Sequence, residues 1–285
     1  MSSTSEPDTV ISADAITHYY ANRDRRFAAI RNLSIDIHRN EFICLIGPSG
    51  KSTFLRIVAG LMSPSEGMIS LNGSRIRGPG LDRGVVFQEP ALFPWLKVRQ
   101  NVEFGLRSAG WKKSSAAARA ISVLESVGLA DSADLYPYQL SGGMQHRVAV
   151  ARGWSLTDTE VLLMDEPFSA VDAITRVQLQ SHLVHTWQTD PRAVLYVTHD
   201  IDEAVFLGQR VVVLTPAPAR IAAEIPINLN YPRDRESPEF SQLEREITAA
   251  LDRAMSSGAE RHDVDVIAAD AGRDDSIHAG RRAAG

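Results

Sequence analysis

The stretch Phe42-Ile43-Cys44-Leu45-Ile46-Gly47-Pro48-Ser49-Gly50-Lys51-Ser52-Thr53 takes five apolar residues into a glycine-bounded turn and then into a helix-like run starting near Ser52. A short apolar run closed by turn residues reads as a strand buried on both faces. The same form recurs at 85–87, 161–164, 193–197 and 210–214. Segments of helical spacing lie between them. The clearest is 114–127, where Ala117, Ala120, Ile121, Leu124 and Val127 recur at three- and four-residue spacings; 145–155 and 174–187 are further examples. Buried strands alternating with helices imply right-handed crossovers and a mostly parallel sheet covered by helices, an α/β fold.

Composition bounds the function. The chain has 285 residues, 44% hydrophobic and 23% charged, which is ordinary globular usage and excludes a wholly disordered, collagen-like or disulfide-scaffold protein. Its net charge of -5 leaves no basic excess to neutralise nucleic-acid phosphates, so nucleic acid is not an expected partner. The one cysteine, Cys44, lies inside the first apolar run and reads as a buried thiol, which suits a reducing cytosol. No apolar stretch approaches the ~18 residues of a membrane span. The first ten residues lack the basic-then-apolar order of a targeting signal.

Two segments depart from the strand–helix alternation. From Phe93 to about Ala133 the chain is helix-rich without a convincing strand, so a helical subdomain, about 93–155, is expected as an insertion. Residues 253–285 contain no Phe, Trp or Tyr and read as a disordered tail behind a folded domain spanning 9–250. Only one phosphate-loop-like segment occurs, which excludes a tandem of two cassettes.

In parallel sheets ligands gather at the carboxyl ends of the strands, and four of these apolar runs end in chemistry. Gly47, Pro48, Ser49, Gly50, Lys51, Ser52 and Thr53 resemble a phosphate-binding loop, with backbone amides turned inward, lysine on the phosphates and the Ser52 hydroxyl on Mg2+. Read alone, this is equally a Gly-Pro turn capping a helix. The full motif places its first glycine six positions before the lysine, and here Gly47 stands four before Lys51; the loop is two residues short. Gln88 follows the second run. Asp165 and Glu166 follow the third, an arrangement in which Asp165 binds Mg2+ and Glu166 acts as general base, or simply an acidic strand exit. His199 follows the fourth and suits a γ-phosphate sensor or a structural histidine. Leu140-Ser141-Gly142-Gly143-Met144-Gln145 precedes a helical run, combining an N-cap hydroxyl, two side-chain-free amides and a positive helix end.

Together these motifs resemble the nucleotide-binding subunit of an ATP-binding cassette (ABC) transporter, in the family's order and from about Thr9 to about Ala250. The resemblance implies a P-loop NTPase fold of the ABC type, with ATP and Mg2+ as cofactors. It makes Gly47 to Thr53 the Walker A loop, Gln88 the Q-loop and a magnesium contact, and Leu140 to Gln145 the signature, with Ser141, Gly142, Gly143, Met144 and Gln145 as its nucleotide-binding residues. It likewise makes Asp165 and Glu166 the end of Walker B, Asp172 part of the D-loop, and His199 the switch histidine. Tyr20, or failing it Tyr19, becomes the aromatic residue that stacks on adenine. It further implies a head-to-tail pair of cassettes, a homodimer by expectation, on the inner face of a membrane, docked to a transmembrane permease and served indirectly by a solute-binding protein.

Val86-Phe87-Gln88-Glu89-Pro90-Ala91-Leu92-Phe93-Pro94-Trp95-Leu96, Met144, and Pro232-Arg233-Asp234-Arg235 with Pro238-Glu239-Phe240 are similar to cassettes of nitrate, sulfonate and taurine importers. The expected function is therefore ATP hydrolysis coupled to uptake of a small anion or organic solute. Two alternatives stand beside it: a cassette impaired by its short loop and serving as a structural partner, and a soluble ABC ATPase working on nucleic acid or the ribosome. An even deletion could also be absorbed by the preceding strand without flipping its faces, which would put Leu45 where the motif wants its first glycine.

Overall fold

The computed structural model describes residues 8–22, 25–156, 159–259 and 267–268. In chain order the elements are β1 (Thr9–Asn22), β2 (Arg25–His38), β3 (Phe42–Ile46), α1 (Lys51–Val58), β4 (Glu66–Leu71), β5 (Ser74–Arg75) and β6 (Arg83–Val86). Then come α2 (Val98–Ser108), α3 (Lys113–Ser126), α4 (Gly142–Ser155), β7 (Val161–Asp165), α5 (Ala173–Thr189), β8 (Ala193–Val197), α6 (Ile201–Leu207), β9 (Arg210–Leu214), β10 (Ile221–Pro226), α7 (Pro238–Ala259) and β11 (Ile267–Ala268).

Among the described residues the strands form two sheets. One has the order β10-β9-β3-β8-β7-β6, parallel from β9 through β6, with β10 antiparallel at its edge. Its central strands are buried on both faces, and their side chains alternate between two cores. Phe42, Cys44, Ile46, Leu162, Met164, Val194 and Tyr196 point into a core shared with the helical side. Ile43, Leu45, Val161, Leu163, Leu195 and Val197 point into a second core.

That second core is closed by the other sheet, order β11-β2-β1-β4-β5 and antiparallel throughout, which the apolar runs of the sequence do not announce. Its apolar alternation is broken where register shifts interrupt β1, at Ala13/Ile16 and Ile16/His18, with Ala15 at φ 51°. Helix α1 lies between the sheets, burying Phe54, Leu55, Ile57 and Val58. At roughly 1.5–3 kcal/mol per fully buried large apolar side chain, this packing fixes the helix and with it the direction of its N-terminus.

Helices α2, α3 and α4 fall between β6 and β7, within the stretch read as a helical insertion. The tail expected from residue 253 is corrected at its start, because α7 continues to Ala259 and buries Ala254 beside Ala250, Ile247 and Phe240. Residues 260–266 and 269–285 of that stretch lie outside the described residues. No helix among the described residues is long and apolar enough to cross a membrane.

Candidate functional site

Strands β3, β6, β7 and β8 run parallel, so the residues at their carboxyl ends arrive at one edge of the sheet. The loop after β3 spans only Gly47 to Gly50, since α1 begins at Lys51. The strand does not yield residues to it: Leu45 stays paired with Val197 and Val212, Ile46 with Val213, and both side chains remain in the cores. The short loop instead lies hard against the β9–β10 turn. A Cβ at Gly47 (φ 147°) would sit 2.7 Å from the Leu214 carbonyl oxygen, and one at Gly50 (φ 81°) 2.3 Å from the Ala219 Cβ, so both positions require glycine.

Phe54 N–H donates to the Gly50 carbonyl at 2.9 Å, which leaves the amides of Lys51, Ser52 and Thr53 as the first-turn donors of α1. Lys51 Nζ donates back to the Gly47 carbonyl at 2.6 Å, and the Ser49 hydroxyl is buried without a hydrogen-bond partner. Ser52 Oγ donates to Asp165 Oδ1 at 3.0 Å. Asp165 ends β7 at 4% exposure, and burial raises its carboxyl above the usual range against the opposing Ser52 hydrogen bond. A divalent cation against these two oxygens would stabilise the ionised carboxylate that burial disfavours.

The next residue, Glu166, takes a left-handed backbone, φ 46°, pinned by its N–H on the Val197 carbonyl at 2.9 Å and by the Ser169 N–H and hydroxyl on its own carbonyl. Such strain in a non-glycine residue at a strand exit marks positions where side-chain aim matters. Glu166 Oε2 lies 3.1 Å from His199 Nδ1 and 3.5 Å from Gln88 Nε2. The sheet therefore brings Lys51, Ser52 and Asp165 into one group and Glu166, Gln88 and His199 into its neighbour. Gln88 meets Glu166; none of the described hydrogen bonds ties it to Ser52 or Asp165.

Of the two tyrosines, Tyr20 faces this edge. Its hydroxyl is 3.1 Å from Thr53 Oγ1, and its ring packs on His18 and Phe27, whereas Tyr19 lies under Arg26. Phe27 belongs to no motif of the sequence; its signal is only that it pairs directly across from Tyr20 in the ladder.

The signature segment stands apart from this group. Ser141 caps α4 by accepting from the Met144 N–H at 3.3 Å, and Gln145 Nε2 donates to the Pro137 carbonyl at 3.0 Å. A Cβ at Gly142 would meet nothing within 4 Å and one at Gly143 would meet the Ala170 carbonyl at 3.7 Å and the Val171 Cα at 4.0 Å, both ordinary contacts, so packing within this chain does not demand either glycine. Asp172 caps α5 through the Thr175 N–H at 3.0 Å, which holds its carboxyl below the usual range. Asn101 likewise carries no sequence signal. Fully buried, it fixes the loop after Gln88 by accepting from Phe93 N–H at 2.8 Å and donating to the Phe93, Leu96 and Lys97 carbonyls.

These residues fit a magnesium nucleotide on the helix side, with lysine, first-turn amides, a hydroxyl and a buried carboxylate, but the loop side of the cradle is abbreviated. Comparison with known proteins gives the family. The ABC transporter family profile matches residues 30–169. An uncharacterized ABC transporter ATP-binding protein of Methanocaldococcus jannaschii is 46% identical over 85% of this chain and 91% of its own length. A nitrate import ATP-binding protein of Synechocystis is 43% identical over 84% of this chain and 92% of its own. A dimeric ATP-binding cassette solved in a post-hydrolysis state with ADP and phosphate superposes with a TM-score of 0.70 at 29% identity, covering 77% of this chain and all of that one. The chain belongs to the ABC transporter family, as one of its ATP-binding cassettes.

Proposed function

We propose that this chain is the ATP-hydrolysing subunit of an importer for a small anion or organic solute of the nitrate, sulfonate or taurine kind. The observation that carries the reading is the meeting of Ser52 with Asp165, and of Glu166 with His199 and Gln88, at one edge of the parallel sheet. Bound Mg-ATP supplies the scissile phosphoanhydride and the cation that neutralises its charge. Lys51 and the amides of α1 bind the phosphates. Ser52 and Asp165, with Gln88, would hold the magnesium. Glu166 accepts the proton of the attacking water, and His199 orients Glu166 and that water. Tyr20 presents its ring to the base.

The partners follow from what the chain leaves open. Gly142 and Gly143, unneeded by packing within the chain, suit a phosphate held from outside, so Ser141 to Gln145, with Asp172 beside them, complete the site of a second copy in a head-to-tail homodimer. Phe93, Trp95 and Phe104 form an aromatic group beyond Gln88, with Trp95 70% exposed, which suits docking to a transmembrane permease on the inner face of the membrane. A solute-binding protein would act on that permease and not on this chain. Co-expression with a transmembrane permease of this importer class tests the role. Co-purification from membranes and permease-stimulated phosphate release support it; co-purification with nucleic acid or ribosomes refutes it.

A second reading, a cassette impaired in nucleotide binding and serving as a structural partner, is favoured by one observation, the four-residue loop between β3 and α1.

A further inference from the structure

His199 is 68% exposed, and its described polar contact is with Glu166, so the ring is held chiefly through its backbone. That backbone is the short link between β8 and the seven-residue α6. What fixes α6 therefore fixes His199.

From within, Glu203 does so. At 5% exposure it accepts the Tyr196 hydroxyl at 2.7 Å, Gln180 Nε2 at 3.0 Å and the Thr198 hydroxyl. Thr198 Oγ1 in turn accepts the Asp200 N–H at 3.0 Å, so both neighbours of His199 are tied to one buried carboxylate. From without, the segment between β10 and α7 grips the helix at both ends. Arg233, 7% exposed, donates to the carbonyls of Val205 at 2.6 Å, Phe206 at 3.2 Å and Gly208 at 2.6 Å. Arg235 Nε donates to both Asp202 oxygens at 2.8 and 3.0 Å, its guanidinium lies 3.7 Å over the Phe206 ring, and a terminal nitrogen donates to Gln180 Oε1 at 2.6 Å.

Gln180 thus accepts from Arg235 with its oxygen and donates to Glu203 with its nitrogen, so the amide cannot rotate without losing both bonds. The chain of contacts runs Arg235, Gln180, Glu203, Thr198, His199. A lysine could not reproduce it, because a planar guanidinium stacks on Phe206 and serves Asp202 and Gln180 at once.

We infer that Arg235 is a positioning residue: through Gln180 and Glu203 it sets the placement of the His199 ring against Glu166, so that the segment after β10 governs the hydrolytic edge from behind. The inference rests on the proposed role of His199 only for its effect on turnover, and the test separates the two.

Histidine-selective isotope labelling of the full chain, without nucleotide, gives a ring signal for His199, identified by its loss in His199→Gln. Arg235→Gln and Arg235→Lys should both move or broaden that signal while the other described histidines hold theirs. In steady-state hydrolysis both should lower kcat by at least about tenfold, with KM for Mg-ATP within about twofold of the parent. Asp202, partly exposed, offers a milder probe should the arginine variants fold poorly, and Asp202→Asn should move the signal in the same sense. A folded Arg235→Gln or Asp202→Asn that leaves the His199 signal in place overturns the inference. A moved signal with unchanged kcat upholds the positioning of the ring and refutes the role of His199 in hydrolysis.

Discussion

Lengthening the phosphate loop by two residues, Cys-Gly inserted after Gly50, should restore tight nucleotide binding. Strand β3 keeps its register to Ile46 and α1 starts at Lys51, so four residues alone bridge them, and Pro48 among them has no N–H. The shortage falls on amide donors: a full loop would add two. At about 1.5–3 kcal/mol for each hydrogen bond to a charged oxygen, two donors are worth roughly 3–6 kcal/mol, a factor of about 100 to 10,000 or more in affinity. The Lys51 bond to the Gly47 carbonyl, which must open for the ammonium to reach a phosphate, weakens binding further. Calorimetric titration with Mg-ATP should therefore show weak binding in the parent, and a gain of at least about 100-fold in the insertion variant. Micromolar affinity in the parent with no gain on insertion would refute the reasoning and mean that the loop finds another route around the phosphates.

Three further outcomes are expected. Asp165→Asn removes the one buried carboxylate beside Ser52 and should weaken magnesium-dependent binding while leaving metal-free binding unchanged, read by titration with and without Mg2+. Trp95→Glu should abolish co-purification with the permease without lowering the melting temperature, since the ring is 70% exposed; loss of fold would show that the aromatic group is a core instead. Burial raises the Glu203 carboxyl in the folded protein, so the native state holds that proton more tightly than the unfolded chain. The contribution of Glu203 to stability should then fall as pH rises from the ordinary glutamate value through the raised one. Denaturant titrations across that window should show a smaller decline in Glu203→Gln; identical slopes would contradict the assignment.

The parallel sheet was legible because its strands are buried on both faces, and residues such as Phe42 to Ile46 need no polar alternation to announce themselves. The antiparallel sheet was not, because bulges in β1 shift its period and mix Ser12, Asp14, Thr17 and His18 among the buried Ile11, Ala13 and Ile16. The group at the sheet edge was legible for the same topological reason: Asp165, Glu166, Gln88 and His199 each stand at or just past the end of an apolar run, and parallel strands bring their carboxyl ends to one place. The supports behind that edge were hidden. Asn101, Gln180 and Glu203 are isolated polar residues in helices, indistinguishable in sequence from a solvated face until the fold buries them. Arg233 and Arg235 stood out only as family wording, since their partners in α5 and α6 lie 27–55 positions upstream.

The central claim is that Glu166 is the base at this sheet edge, and the most direct measurement is single-turnover hydrolysis by the loop-lengthened protein with and without Glu166→Gln. The substitution should leave Mg-ATP affinity unchanged, slow phosphate formation by at least about 100-fold, and hold the protein as an ATP-bound dimer in size exclusion. Phosphate formation near the unsubstituted rate, with no dimer accumulating, would contradict it.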